Sequence, residues 1–340
     1  MRHYDTMRRT HRAGRKLSNT LLLLTMSGLL AHAAPVPVIF DTDMGNDIDD
    51  ALALAVLHAL ESRGEARLLA VTLTKDNTWA SVYVDVVNHF YGRGSIPIGV
   101  VRSGPTPEDS PMIRVPSERR DAQNRLVYPR RIHGGREAPD AVQVIRDVLK
   151  AQDDKSVVIV QVGFSTNLAR LLYAPGGVDL VARKVRLLSV MGGWFPAGKP
   201  EYNIKTDLPS AEKLFAEWPT DIVVSGFEIG EAILYPARSI EEDFRWAASH
   251  PVVDAYRAYK QMPYDRPAWD LTSALYAVRP GHGYFSLSEP GKVMVGKDGR
   301  TRLEPAAGGR HRYLKVSEIQ KARALEALVQ LASQPAQRLP

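Results

Sequence analysis

The sequence predicts an α/β protein with one domain, built on a mostly parallel open sheet with helices on both faces. Three observations point there. Short apolar runs alternate with stretches of helical period from residue 36 onward. The runs in the first two thirds of the chain are not joined by the tight turns that mark hairpins. Neither an internal repeat nor a linker interrupts the 340 residues, which favours one domain over two.

Each element follows from its pattern. "VPVIF" (36–40) reads as a buried strand, and "DDALALAVLHALES" (49–62) as a helix opened by Asp49 and Asp50. "ARLLAVTLT" (66–74) is a second strand, "WASVYVDVVNHFYGR" (79–93) a helix and "IPIGVV" (96–101) a third strand. A polar, Pro-rich stretch (103–131) reads as loop. Helix and strand then alternate through "APDAVQVIRDVLKAQ", "SVVIVQVG", "STNLARLLY", "VRLLSVMGG", "PSAEKLFAEW" and "DIVVSGF". Near the end, "KVMVGKDGRTRLEP" reads as a hairpin turning at Lys297-Asp298-Gly299, and "SEIQKARALEALVQLA" as a closing helix. The expected organisation is a signal peptide over 1–33, the α/β domain over 34–286, and a C-terminal appendage over 287–340 packed on it.

The net charge of +6 is unevenly placed. Residues 1–33 carry Arg2, Arg8, Arg9, Arg12, Arg15 and Lys16 against Asp5, a net of +5, which leaves +1 for the rest. A nucleic-acid polymer is therefore not an expected partner. The basic region precedes the apolar "LLLLTMSGLL" (21–30), and "AHA" (31–33) offers small residues for cleavage after Ala33. The apolar run is too short to span a bilayer. The expectation is export, to the periplasm or beyond, with no membrane attachment after cleavage. With no cysteine in the chain, any metal site must use oxygen or nitrogen ligands.

One stretch stands out chemically. Asp41, Asp43, Asp47, Asp49 and Asp50 fall within ten residues, between the first strand and the next helix. In open α/β sheets such turns form the ligand-binding edge. Capping a helix accounts for one or two acids, at about 0.3–1 kcal/mol each. Five raise one another's pKa unless a cation intervenes, and oxygen-only donors favour a hard ion such as Ca²⁺ or Mg²⁺. An EF-hand does not fit, because its fifth position is Gly45 and its twelfth Leu52. A haloacid-dehalogenase-like phosphatase, with Asp41 as nucleophile and Asp43 as acid, is kept as an alternative, although it leaves Asp47, Asp49 and Asp50 without a role.

Asp41-Thr42-Asp43-Met44-Gly45-Asn46-Asp47-Ile48-Asp49-Asp50-Ala51 resembles the Asp-x-Asp-Pro-Gly-x-Asp-Asp-Ala signature of the inosine–uridine-type nucleoside hydrolases, with Met for Pro and two extra residues before the Asp pair. Further segments resemble that family in its order: "VTLTKDN" (71–77), "IHGG" (132–135), "VGFSTNLA" (162–169), "VMGGWF" with "EYNIKTDLPSAEKLF" (190–215), and "AWDLTSALYAV" (268–278). The likeness runs over residues 36–280.

The resemblance implies hydrolysis of the N-glycosidic bond of ribonucleosides at a Ca²⁺ site. Asp43, Asp50, Asp270 and the Thr166 carbonyl would hold the ion. Asp49 would be the base for the attacking water, with Asp47 the other contender, and Asp41 would brace the loop from behind. Glu201 and Asn203 would hold ribose hydroxyls, with Asn77 and His133 nearby as further substrate-binding residues. Trp269 stands where some members carry a His that protonates the departing base; an indole can only stack on a base or donate its N–H. Because of that Trp, a non-catalytic nucleoside- or sugar-binding protein stays as an alternative. The implied partners are a small nucleoside or riboside and further copies of the chain in a homo-oligomer.

Overall fold

The computed structural model describes Met1 and residues 34–337; the expected leader, Met1 apart, lies outside the described residues, as do 338–340. Among the described residues no helix is long and apolar enough to cross a membrane.

Six parallel strands form the centre: β1 (Val36–Thr42), β2 (Ala66–Leu73), β3 (Ile98–Val100), β4 (Val157–Gln161), β5 (Val185–Met191) and β6 (Asp221–Ser225). They stand in the order β6-β5-β4-β1-β2-β3. The chain runs outward from β1 to β3, then returns to place β4 against the other side of β1. The order reverses between β1 and β4, so a crevice is expected beyond their C-terminal ends.

Alternation along the strands separates two cores. Val38 and Phe40 of β1, with Val158 and Val160 of β4, join one apolar cluster, while Ile39 and Ile159 join the other. The first cluster is covered by α1 (Asp49–Ser62), α2 (Thr78–Phe90) and α3 (Pro111–Glu118) and by later helices named below. The second is covered by α4 (Ala141–Lys150), α5 (Thr166–Tyr173), α6 (Gly177–Lys184), α7 (Tyr202–Thr206) and α8 (Leu208–Glu217). Strands buried on both faces read as nearly continuous Val/Ile/Leu runs, which is why they were legible.

After β6 come α9 (Phe227–Glu231), β7 (Leu234–Tyr235), α10 (Ala237–Glu242), α11 (Pro251–Tyr259), β8 (Arg266–Pro267) and α12 (Trp269–Val278). β7 and β8 form a two-stranded antiparallel ribbon. The chain ends with β9 (Ser286–Leu287), β10 (Gly291–Val295), β11 (Thr301–Pro305), β12 (His311–Lys315) and α13 (Glu318–Ala332). The hairpin β10–β11 turns where expected. The segment after 287 also continues the main sheet: β12 pairs in parallel with β6 and antiparallel with β10. α13 packs on α1, and so does α12, so α1 is buried almost all round.

The stretch 103–131 is not all loop as expected. It contains α3, which starts on Pro111 and buries Met112 and Ile113 against the first core. Proline suits a first helical turn because its missing N–H is not needed there. The helix is too short for its period to stand out among prolines and arginines.

Candidate active site

β1 delivers the acids. Asp41 is the next-to-last residue of the strand, lies opposite Thr72 and Gln161 of its neighbours, and is fully buried. Its Oδ1 accepts from Thr72 Oγ1 (2.6 Å) and Asn167 Nδ2 (2.8 Å), which ties the end of β1 to β2 and α5. The Thr42 hydroxyl donates to Asp50 Oδ1 and accepts from Met44 N–H (3.1 Å). Beyond them Gly45 turns the chain at φ +113°, where a Cβ would also meet Ile113 Cδ1 at 2.7 Å. Asn46 Nδ2 donates to Asp43 Oδ2 (2.8 Å), and Lys75 Nζ donates to Asn46 Oδ1 (2.9 Å).

Two helix N-termini meet at this point. Asp49 and Asp50 lie in the first turn of α1, and Asp270 in the first turn of α12. Asp270 N–H donates to Asp49 Oδ2 (3.0 Å), joining residues more than two hundred positions apart. The positive ends of both helices face the acids and offset part of their charge.

A cavity of about 490 Å³ opens here. Its floor holds Asp43, Asp49, Asp50 and Asp270, flanked by Val162, Glu201 and Asn203. Trp194, Phe227 and Trp269 form an aromatic wall: Trp194 stacks on Phe227 at 4.4 Å, and Phe227 lies 5.2 Å from Trp269. The Trp269 indole donates to Phe227 O (2.9 Å) and rests on Gly230, where a Cβ would come within 2.2 Å of Trp269 Cδ1. Arg266 completes the wall, its guanidinium 5.0 Å from the Trp269 ring and paired with Asp47.

Burial pushes every floor acid upward. Asp43 is raised to about 6 and Asp49 to about 7, by burial first; for Asp43 the Asp49 charge adds to it. Asp50 and Asp270 are held well above the usual carboxylate range by burial and then by their acidic neighbours. Asp41, behind them, is raised to about 7 by burial, against the two hydrogen bonds it accepts. Glu201 also rises to about 7 through burial, although it accepts N–H bonds from Gly193, Asn203 and Ile204.

The structure brings together Asp43, Asp47, Asp49, Asp50, Glu201, Asn203, Trp269 and Asp270, all lining one cavity. Asp41 stands directly behind, with no place on the cavity wall. Three expected residues are not brought there. Thr166 begins α5 and its hydroxyl donates to Asp207; the residue of this segment at the cavity is Val162, whose carbonyl accepts from Asn203 Nδ2 (2.7 Å). Asn77 caps α2 by accepting from Trp79 N–H and donates to the carbonyls of Pro107 and Glu108. His133 is exposed, its N–H bonded to the Glu137 carboxylate. Local motif likeness carried these three, whereas the end of each strand decides which residue faces the crevice. Arg266, Asn46 and Phe227 escaped the sequence reading; the Arg266-Pro267 pair directly before Ala268-Trp269 was the available signal.

Among the described residues no three His, Asp or Glu side chains have the spacing of a ready coordination shell. The donor chemistry still fits a hard cation. The four floor groups are carboxylates, and Asp50 keeps one buried oxygen with no hydrogen-bond partner. Buried charge without a partner is costly, and a cation among these oxygens offsets it.

The model of the family described as inosine-uridine preferring nucleoside hydrolase matches residues 38–329, reaching past 280 into α13. The fold is similar to that of a plant nucleoside hydrolase, at 22% identity and TM-score 0.66, covering 88% of this chain and 100% of that one. It is similar also to the inosine-uridine preferring nucleoside hydrolase of Bacillus anthracis, at 18% identity and TM-score 0.66, covering 88% and 99%. A third similar structure is the type III effector XopQ complexed with adenosine diphosphate ribose, at 18% identity and TM-score 0.65, covering 88% and 94%. No curated protein matches the sequence.

Proposed function

This chain belongs to the inosine-uridine preferring nucleoside hydrolase family, whose members act on N-glycosyl bonds, and we propose that it is an exported, calcium-dependent ribonucleoside hydrolase. The observation that carries this is the convergence of Asp43, Asp49, Asp50 and Asp270 on the floor of a cavity with an aromatic wall. Export rests on the character of the leader.

Asp43, Asp50 and Asp270 would hold Ca²⁺, with the Val162 carbonyl in the place expected of Thr166. The ion, when bound, polarises water and the ribose hydroxyls. The chain's own groups do the rest. Asp49 takes the proton from the attacking water. Asp270 N–H fixes one of its oxygens, so the other is free to point at the water. Asp47 is a poorer base, because Arg266 and the Ile48 N–H (2.6 Å) both hold its carboxylate. The anionic floor stabilises the oxocarbenium-like sugar as the bond breaks. Asn203 and Glu201 orient the sugar from the side. Asn203 is held by the Val162 carbonyl and Glu201 by three N–H groups, which keeps both in place before substrate arrives. The aromatic wall stacks on the base.

A phosphatase would need Asp41 as an accessible nucleophile, and Asp41 is fully buried with one oxygen bonded twice. The deciding experiment incubates the protein with a nucleoside panel and p-nitrophenyl riboside, with and without chelator. Release of ribose that stops with chelator and returns with Ca²⁺ is expected. Calorimetric binding of nucleosides without any hydrolysis would replace the enzyme with a binding protein.

A further inference from the structure

Trp269 leaves a gap in the chemistry. Its one N–H is spent on the Phe227 carbonyl, so it presents a π-face to the base and no donor. A nucleobase leaves with the bonding electron pair and develops negative charge on its ring nitrogen. Some group on the wall has to receive that charge.

Arg266 has the required placement. It sits on the β7–β8 ribbon opposite Tyr235, lines the same cavity, and is largely buried. Its guanidinium lies between the rings of Trp269 (5.0 Å) and Tyr259 (5.2 Å), which fixes its plane beside the stacking wall. Its Nε is buried and has no hydrogen-bond partner. Asp47 pairs with the guanidinium and is itself anchored on the Ile48 N–H.

We propose that Arg266 is the catalytic residue that receives the leaving base, and that Asp47 is its positioning residue. The inference rests on the hydrolase assignment above. The C1′–N bond breaks and its electron pair passes to the base nitrogen, which accepts a hydrogen bond from the guanidinium. Arg266 stays protonated throughout. The hydroxide portion of water bonds to C1′ while its proton goes to Asp49, and the released base anion takes a proton from solvent. A guanidinium does this without matching its pKa to the medium, unlike the histidine it would replace.

The test separates leaving groups. Inosine and uridine need help to depart; p-nitrophenolate does not. For Arg266→Gln the expected result is a kcat loss of ~100-fold or more on inosine, with turnover of p-nitrophenyl riboside within about threefold of the parent. Arg266→Lys, which keeps the charge but not the fork, should fall between. Asp47→Asn should show the same selectivity with a smaller loss, about tenfold on inosine. Equal losses on both substrates in Arg266→Gln and Arg266→Lys overturn the assignment. So does a parent-like rate on inosine. If Asp47→Asn abolishes both activities, Asp47 is the base and the pairing role falls. If the parent hydrolyses neither substrate, the hydrolase assignment itself has failed, which is a different outcome from selective or equal losses in the variants.

Discussion

The floor and the wall of the cavity are built on opposite principles. The floor is four like charges forced together from three segments, with the ends of β1, α1 and α12 as rigid supports. The wall is three aromatic rings and an arginine that satisfy one another: ring on ring, indole N–H on carbonyl, guanidinium on carboxylate. The floor is electrostatically incomplete without a cation, whereas the wall's polar groups are already paired apart from one buried Nε. In the proposed reaction one surface would handle the sugar and water, the other the base. The two halves of the reaction should therefore fail separately.

Breaking the floor gives the largest effects. Asp50→Asn or Asp270→Asn should abolish detectable nucleoside and p-nitrophenyl riboside turnover alike, and calorimetry should show Ca²⁺ affinity lost. Asp49→Ala should lower kcat by ~10²–10⁴, with Ca²⁺ affinity retained. Loss of metal binding in that variant would move Asp49 from base to ligand. Breaking the wall is milder. Trp269→Ala removes one stacking face at a cost of about 0.5–1.5 kcal/mol, so KM should rise by several fold. The ratio of purine to pyrimidine turnover should change with it, and an unchanged ratio removes the stacking role.

Protonation sharpens the same contrast. Asp43 and Asp49 have folded pKa values raised from 3.8 to about 6 and about 7. Between 3.8 and those values the native chain binds more protons than the unfolded one, so the floor's contribution to stability falls as pH rises. In chelator, Tm should therefore drop between pH 4 and pH 7, and Ca²⁺ should flatten that slope by binding the ionised floor. The smallest effect belongs off the site. Asn77→Ala should lose a helix cap worth ~1 kcal/mol and lower Tm by a few degrees. Its KM should stay within about twofold if the α2 cap is all that Asn77 supplies. A large rise in KM would restore the substrate contact that the family motif suggested.

What was legible in the sequence follows the same division. Asp43, Asp49 and Asp50 announce themselves because charge clustered beside a buried strand has no structural excuse. Asp270 came with them through the order of motifs along the chain. The parallel sheet was legible because strands covered on both faces are apolar throughout. The wall was legible only in part. Phe227 and Arg266 look like any aromatic or basic residue, and only the meeting of α9 and β8 gives them a common purpose. Thr166 failed for a subtler reason: the residue that reaches the crevice is set by where β4 ends, and that lies four positions earlier. β12 was missed because one short strand, interrupted by Arg and Lys, carries too little periodicity to separate from loop.

The position of β1 has a further consequence. It is the first strand described and lies inside its sheet between β4 and β2, and α1, which follows it, is covered by α13. A ribosome that has released only the first two hundred residues has exposed the motif acids and neither Asp270 nor the lid over α1. The acidic end of β1 is thus wet and mutually repelling until α12 arrives with Asp270. The site is complete only once that distant segment has joined the sheet. A chain truncated before α13 should accordingly be a poor folder as well as a poor enzyme.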